Sequence, residues 1–128
     1  MRAPDGFTLI EMIVTVAVIS ILAAVAIPLY RDYIDTGQRQ ALVARVDSFR
    51  IFQDNWRVDN GSYLAGDYAS GGTNDFGVIG YAVQNDEDGI TLAVTACDGG
   101  AIDTCFKVTA TDEAGHSLVW QGGTYTWQ

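Results

Sequence analysis

The sequence predicts an α+β protein in which one long N-terminal helix packs on a small antiparallel sheet of about four strands. From Phe7 to about Trp56, only Pro28 and Gly37 interrupt residues that favour or tolerate a helix. Between residues 42 and 56 apolar side chains recur every three or four positions, and after residue 79 they alternate with polar ones. A chain of 128 residues has room for one domain of this kind.

The first half of the predicted helix is apolar enough to cross a membrane. Residues 12–30 contain no charged side chain, and at about 1.5 Å per residue they reach roughly 28 Å, close to the hydrocarbon thickness of about 30 Å. A cleavable secretory signal is an alternative, because Ala24-Val25-Ala26 matches its small-residue cleavage pattern. A carboxylate in the apolar stretch, Glu11, argues against a disposable segment.

Glu11 is the most informative residue of this stretch. A charge inside a membrane helix costs a few kcal/mol, so it usually has a partner or a purpose. One interpretation places it near the headgroups, where the helix N-terminus favours a carboxylate. The other requires a nearby cation.

The second half of the helix is amphipathic and needs a cover. Its apolar face is made by Leu42, Val46, Phe49, Phe52 and Trp56. The opposite, solvated face carries Arg39, Arg45, Asp47, Arg50, Asp54 and Arg57. We expect the remaining residues of the chain to cover the apolar face.

Residues after the helix predict turns and strands. Residues 59–63 are typical of a turn and are expected to end the helix. Asn60-Gly61-Ser62 also matches the N-glycosylation pattern, but helix termination explains these residues better. Residues 66–77 are expected to form a loop. Strands are expected at residues 79–83, 90–94, 106–108 and 118–120. Acidic, glycine-ended turns at 85–89 and 112–115 would separate the first two strands and the last two.

Charge and motif content exclude several classes of function. Sixteen acidic residues against seven basic ones give a net charge of −9, and residues 58–128 carry only Lys107 as a base. Avid nucleic-acid binding is therefore disfavoured. His116 is the one histidine, no nucleophile has a base at a recognisable spacing, and no phosphate-binding loop is present. We expect no enzymatic activity and no cofactor.

The N-terminal motifs together resemble one known family. Gly6-Phe7-Thr8-Leu9-Ile10-Glu11, the apolar run, Pro28 and Tyr30-Arg31-Asp32-Tyr33 are similar to the N-terminus of type IV pilins and of type II secretion pseudopilins. The resemblance is dense over about residues 6–60. It implies the pilin fold, with a leader peptide at 1–6, a transmembrane and assembly helix at 7–30, an amphipathic helix half at 31–58 and an antiparallel β-sheet head at 59–128.

The resemblance also implies how such a subunit is processed and assembled. A prepilin peptidase would cut between Gly6 and Phe7 and N-methylate the Phe7 amine. Glu11 would then pair with the Phe7 amine of a neighbouring subunit, and Pro28 would bend or loosen the helix. The expected partners are other pilin subunits, the peptidase, the membrane and an inner-membrane assembly platform.

The biological role has two interpretations at this point. One is a major or minor subunit of a surface type IV pilus, used for twitching motility, adhesion or uptake; the segment from Cys105 to Trp127 resembles minor-pilin heads. The alternative is a pseudopilin in a short periplasmic filament. In either case the chain resides in the inner membrane before assembly. For an adhesive role, exposed Tyr63 and Tyr68 are the candidate contacts.

Two groups of residues in the head have separate interpretations. Cys97 and Cys105 predict a disulfide, because the exported head has a thin core and two cysteines lack the ligand count for zinc. Acidic residues on the turns raise the alternative of a calcium site, although their spacing is not that of a known calcium loop. These residues are Asp86, Glu87, Asp88, Asp98 and Asp103.

Overall fold

A computed structural model describes residues 6–81 and 89–128 of the chain. One helix, α1 (Leu9–Asn60), is followed by β1 (Gly66–Ala69), a 3₁₀ helix (Asp75–Ile79), β2 (Thr91–Ala96), β3 (Phe106–Thr111), β4 (Ser117–Gln121) and β5 (Thr124–Trp127). The predicted α+β class is confirmed. The chain divides after Gly37 into two compact units.

In the first unit α1 is exposed along its whole apolar stretch. Its most apolar window is long and hydrophobic enough to cross a membrane, and none of that window is buried in the structure. Pro28 lies inside α1, which continues past it to Asn60. A helix that exposes this much apolar surface requires lipid or other helices around it.

The second unit contains the sheet, in which all strands are antiparallel and adjacent in chain order, β1-β2-β3-β4-β5. Short connections of this kind form a meander. The strands alternate buried and exposed residues, so that one face of the sheet lies on the core. This period-two pattern is what the sequence shows at β2, β3 and β4, and those three strand predictions are confirmed.

The core of the second unit joins the C-terminal part of α1 to the inner face of the sheet. Leu42, Val46 and Phe49 have no exposed surface. They share one cluster with the inward residues of the sheet and its loops, which include Tyr68, Phe76, Tyr81, Leu92, Val94, Phe106, Val108, Ala110, Leu118 and Trp120. The predicted amphipathic packing of the helix half is therefore correct.

Gln53 is the buried polar residue of this core, and the apolar periodicity did not predict it. Its Nε2 donates to the Leu64 carbonyl at 2.7 Å, and its Oε1 accepts from the Leu64 backbone N–H at 2.9 Å. The amide therefore pairs with both backbone groups of Leu64 and holds the segment after α1 in place. Because both of its polar atoms are paired, Gln53 can be buried without a large penalty.

The strand expected at residues 79–83 is wrong at its start. Residues Asp75–Ile79 form a 3₁₀ helix, with the Asn74 side chain accepting from the Phe76 N–H at 3.1 Å and Gly80 closing its end in the left-handed region at φ 77°. These caps satisfy the backbone locally, which favours a short helix over a strand. Val83 and the turn expected at 85–89 lie outside the described residues, except for Gly89.

Two strands form where none was expected. β1 lies in the segment that was expected to be a loop. Its four residues include a glycine and an aspartate, which both have low strand propensity, so the sequence does not indicate a strand there. β5 follows β4 through Gly122 and Gly123, both at positive φ (57° and 93°). Two successive glycines that join alternating residues are typical of a two-residue hairpin, so this signal was present in the sequence.

Candidate functional site

The N-terminus of α1 carries a reciprocal cap between Thr8 and Glu11. The Thr8 backbone N–H and hydroxyl both donate to Glu11 Oε2 at 2.8 Å. In return, the Glu11 N–H donates to Thr8 Oγ1 at 3.3 Å. This arrangement is a capping box, which satisfies donors that the first turn of a helix leaves unpaired. The spacing Thr8-x-x-Glu11 signals such a box, and the sequence analysis missed it.

The cap occupies one side of an open apolar surface. A surface cavity of about 290 Å³ is lined by Phe7, Ile10, Glu11, Val14 and Thr15. The side chains of Phe7 and Ile10 are 79% and 65% exposed. The Glu11 carboxylate thus lies among apolar groups that no other described residue covers.

Gly6 and Phe7 precede the helix and are open to approach. Both residues are exposed and lie outside α1, and a side chain added at Gly6 would meet nothing within 4 Å. A peptide bond outside regular structure can enter a protease cleft without prior unfolding. The other leader residues, 1–5, lie outside the described part of the chain.

Polar side chains within the apolar stretch bond to their own helix. Thr15 Oγ1 donates to the Glu11 and Met12 carbonyls, each at 2.9 Å, and Ser20 Oγ donates to the Val16 carbonyl at 2.7 Å. Hydroxyls paired in this way can enter an apolar environment at low cost. The stretch is therefore compatible with lipid despite these polar residues.

The predicted disulfide is present in the head. Cys97 and Cys105 are bonded, with their Cα atoms 5.5 Å apart. Beside it, Lys107 Nζ lies 2.7 Å from Asp98 Oδ1. The disulfide therefore closes the loop between β2 and β3.

The calcium alternative receives no support from the described residues. Asp98 is engaged by Lys107, and within residues 6–81 and 89–128 no three His, Cys, Asp or Glu side chains are placed to hold a metal ion. Asp86, Glu87 and Asp88 lie outside the described residues.

His116 is hydrogen-bonded to Asp112 at the turn between β3 and β4. Its Nδ1 lies 2.7 Å from Asp112 Oδ2, and its backbone N–H donates to Asp112 Oδ1 at 2.8 Å. Burial opposes ionisation of Asp112, but the hydrogen bonds from His116 and the Gly115 backbone outweigh it and lower the pKa of Asp112. The pair stabilises the predicted turn, whose strands are confirmed.

Three arginines of the predicted solvated helix face also cover aromatic rings of the head, while Arg39 and Arg57 stay exposed and Arg50 is half-buried. The guanidinium carbon of Arg50 lies 4.2 Å from the centre of the Trp120 ring, that of Arg57 4.9 Å from Tyr63, and that of Arg39 5.4 Å from Trp127. Arg50 also bonds to Asp47 at 2.9 Å, and Tyr125 donates to the same carboxylate. Helical periodicity alone does not reveal these partners, because Trp120 and Trp127 lie on the distant strands β4 and β5, and Tyr63 lies in the segment between α1 and β1.

The two tyrosines expected to be exposed for adhesion are not free surface groups. Tyr68 is 5% exposed and belongs to the core. Tyr63 packs against that core, with its ring centre 4.5 Å from that of Phe106. That prediction is wrong because the short strand β1 directs Tyr68 inward.

A membrane-length apolar helix with a capped carboxylate, continuing into a helix packed on a five-stranded antiparallel sheet, defines the pilin class of fold. The family model "Prokaryotic N-terminal methylation motif" matches residues 1–27. No solved structure matches the chain.

Curated relatives extend this match beyond the N-terminus. Type IV major fimbrial protein FimA of Dichelobacter nodosus is 35% identical over 113 residues, covering 77% of this chain and 70% of FimA. Fimbrial protein Q of Moraxella bovis is 48% identical over 46 residues, 36% of this chain and 29% of that protein. A fimbrial protein of Pseudomonas aeruginosa is 48% identical over 50 residues, 39% of this chain and 32% of that protein. The chain belongs to the type IV pilin family.

Proposed function

We propose that this chain is a structural subunit of a type IV pilus, made in the inner membrane and polymerised into a surface filament. The observation that carries the proposal is the similarity to FimA, a type IV major fimbrial protein, over 77% of this chain. The match reaches far beyond the apolar helix, so it supports more than a shared membrane anchor. The name of that relative favours the pilus over a periplasmic pseudopilus.

The proposed maturation begins with cleavage between Gly6 and Phe7. Their exposed, non-helical backbone is accessible to a membrane-embedded prepilin peptidase. Cleavage creates an amine at Phe7, which the same enzyme methylates. The new cation then lies one residue before Thr8 and four before Glu11.

The proposed assembly step exchanges the partner of Glu11. In the isolated chain the carboxylate is held by the Thr8 N–H and hydroxyl. A neighbouring Phe7 amine offers a full positive charge, which interacts more strongly with a carboxylate than neutral donors do where water is scarce. Because an unpaired charge in an apolar bundle is costly, this pair favours one docking register.

The rest of the N-terminal unit supplies the surface that assembly buries. The apolar side chains of α1 up to residue 30 are exposed in the isolated chain. In the membrane lipid covers them, and in the filament copies of the same helix do so. Pro28 lacks a backbone N–H, so we infer that α1 can bend or loosen there as the subunit leaves the lipid.

Substitution of Glu11 tests the assembly step. Glu11→Gln keeps the size and hydrogen-bonding capacity of the side chain but removes its charge. We expect this variant to insert and to be cleaved at Gly6 while the yield of sheared filaments falls at least tenfold. The matched control is Asp32→Asn, which removes an exposed carboxylate of the same helix outside the apolar run and should leave the filament yield unchanged.

The readouts are immunoblots of membrane and sheared fractions, which separate processing from assembly. Filaments at normal yield from Glu11→Gln would contradict the charge-pairing mechanism. Cleaved wild-type protein that stays as a trace in the envelope would instead favour the pseudopilin alternative.

A further inference from the structure

The outer face of the sheet, opposite the core, carries few charged side chains, which are Asp67 on β1 and Lys107 on β3. Its residues follow from the strand register, which places Thr91, Thr111 and Ser117 in one row and Ala93, Thr109, Val119 and Thr126 in the next. The third row contains Thr95, Lys107, Gln121 and Thr124. Hydroxyls and amides dominate this face, although residues 58–128 carry ten acidic side chains.

A surface cavity of about 420 Å³ lies on this face, at the end nearer the disulfide. Its polar lining consists of Asp98, Lys107, Thr109, Gln121, Thr124, Thr126 and Gln128. Ligand pockets usually hold about 300–1,000 Å³, so the cavity has room for one or two sugar rings.

The polar groups of the cavity are mostly neutral and available. Its one ammonium, on Lys107, lies 2.7 Å from Asp98 Oδ1, which offsets its charge and leaves it further donors. Among the described residues, no side chain forms a hydrogen bond with the amide of Gln121 or of Gln128. An amide presents a donor and an acceptor side by side, which suits a pair of neighbouring hydroxyls.

The cavity also offers a small apolar floor. Val119 lines it between the threonines, whose methyl groups add further aliphatic surface. Such a floor can contact the C–H face of a sugar ring while the surrounding groups bind its hydroxyls. No aromatic or large aliphatic anchor of the kind a peptide partner needs lines the cavity.

The negative charge around the cavity favours neutral ligands over anionic ones. The head carries a net charge of −9, because its ten acidic residues face only Lys107. The whole second unit, which also includes four arginines and two aspartates of α1, has twelve acidic and five basic side chains and a net charge of −7, so it disfavours anionic ligands such as phosphates or sialylated glycans. We propose that this cavity is a binding site for a neutral saccharide.

The site belongs to the second compact unit, whereas the residues that the proposed function uses for assembly belong to the first. It therefore goes beyond that function and can be tested on protein that has not polymerised. The full chain in detergent micelles would be examined by saturation-transfer difference NMR with lactose, maltose and N,N′-diacetylchitobiose. The anionic comparison is 3′-sialyllactose.

We expect saturation transfer to at least one of the neutral sugars. If that sugar is lactose, 3′-sialyllactose should bind at least fivefold more weakly than lactose. Gln121→Ala should weaken the binding at least fivefold, and Thr109→Val, which keeps the side-chain shape, should also weaken it. Gln40→Ala is the matched control, because Gln40 is an exposed glutamine on α1 away from the sheet face. Near-UV circular dichroism of each variant establishes that the head has kept its fold.

Two results would overturn the proposal. The first is no transfer to any of the three neutral sugars from folded wild-type protein. The second is binding that Gln121→Ala and Thr109→Val leave unchanged. Because neither result depends on filaments, a failed saccharide site and a failed pilus function are distinguishable.

Discussion

Gln53 and Glu11 are two polar residues of α1 that lie among apolar side chains and pair with groups outside the regular helix. Each is paired, Gln53 with the Leu64 backbone and Glu11 with Thr8. The two sets of hydrogen bonds differ in their access to other partners, because Gln53 is fully buried while Glu11 is exposed. We therefore assign a structural role to the first and an exchangeable one to the second.

Replacing Gln53 by leucine should destabilise the head strongly. The change leaves the Leu64 N–H and carbonyl without their partner, and an unsatisfied buried polar group costs about 1–3 kcal/mol. We expect a loss of about 2–4 kcal/mol in the free energy of unfolding, measured by urea titration of tryptophan fluorescence in detergent. Gln40→Leu, on the exposed face of the same helix, should change it by less than about 0.5 kcal/mol. Equal effects of the two substitutions would refute the role of the Leu64 contacts.

Asp112 should make the stability of the head depend on pH in the acid range. Its folded-state pKa is lowered, so its contribution is fully present above the ordinary value of about 3.9 and is lost as the pH falls through the folded pKa. Between pH 5 and pH 3 the melting temperature of the wild type should therefore fall further than that of Asp112→Asn. Asp103→Asn, at an exposed position, should follow the wild type. Parallel curves for wild type and Asp112→Asn would show that the His116 contact contributes nothing.

At the scale of the elements, the sequence predicts long or strongly periodic segments and misses short ones. The regular spacing of apolar residues predicts the buried faces of α1, β2, β3 and β4. β1 has four residues and its identity depends on pairing with β2, a contact distant in sequence. The 3₁₀ helix depends on the Asn74 cap, which competes with the apolar alternation that suggested a strand.

The residues of the candidate sites also fall into those that local sequence motifs predict and those that they do not. Glu11 and the Gly6-Phe7 junction are local motifs whose roles stay predictions, whereas the predicted disulfide between Cys97 and Cys105 is present. The cation–π contacts of the three helix arginines and the saccharide cavity were not found. The contacts of Arg39 and Arg50 and the lining of the cavity depend on residues that strand register brings together, and one sequence does not specify that register. The contact of Arg57 with Tyr63 depends instead on the path of the chain after α1.

The disulfide should contribute measurable stability to the loop between β2 and β3. Its cysteines are separated by 8 positions, and closing a loop of this size stabilises by about 2.5 kcal/mol in the chain-entropy estimate. The double variant Cys97→Ser/Cys105→Ser should lose about that much free energy of unfolding in urea titrations. Reductant should lower the stability of the wild type to that of the variant and leave the variant unchanged. A wild type that is insensitive to reductant would contradict this prediction.

At the scale of the whole molecule, most of the negative charge lies in the second unit, with a net charge of −7, against −2 in the unit that carries the exposed apolar helix. The N-terminal unit presents a membrane-length apolar helix, and residues 58–128 carry the whole net charge of −9. Burying the first surface against copies of itself is the assembly we propose, and a charged head keeps the filament exterior soluble. The family relationship to type IV fimbrial proteins is consistent with this division.

The measurement that tests the central proposal most directly is the intact mass and N-terminal sequence of the protein in sheared surface filaments. The proposal predicts that the dominant component of these filaments is this chain, beginning at N-methylated Phe7. A processed chain found only as a trace would favour a minor pilin or a pseudopilin. A chain that stays in the membrane, still begins at Met1 and is absent from the filaments would contradict the proposal.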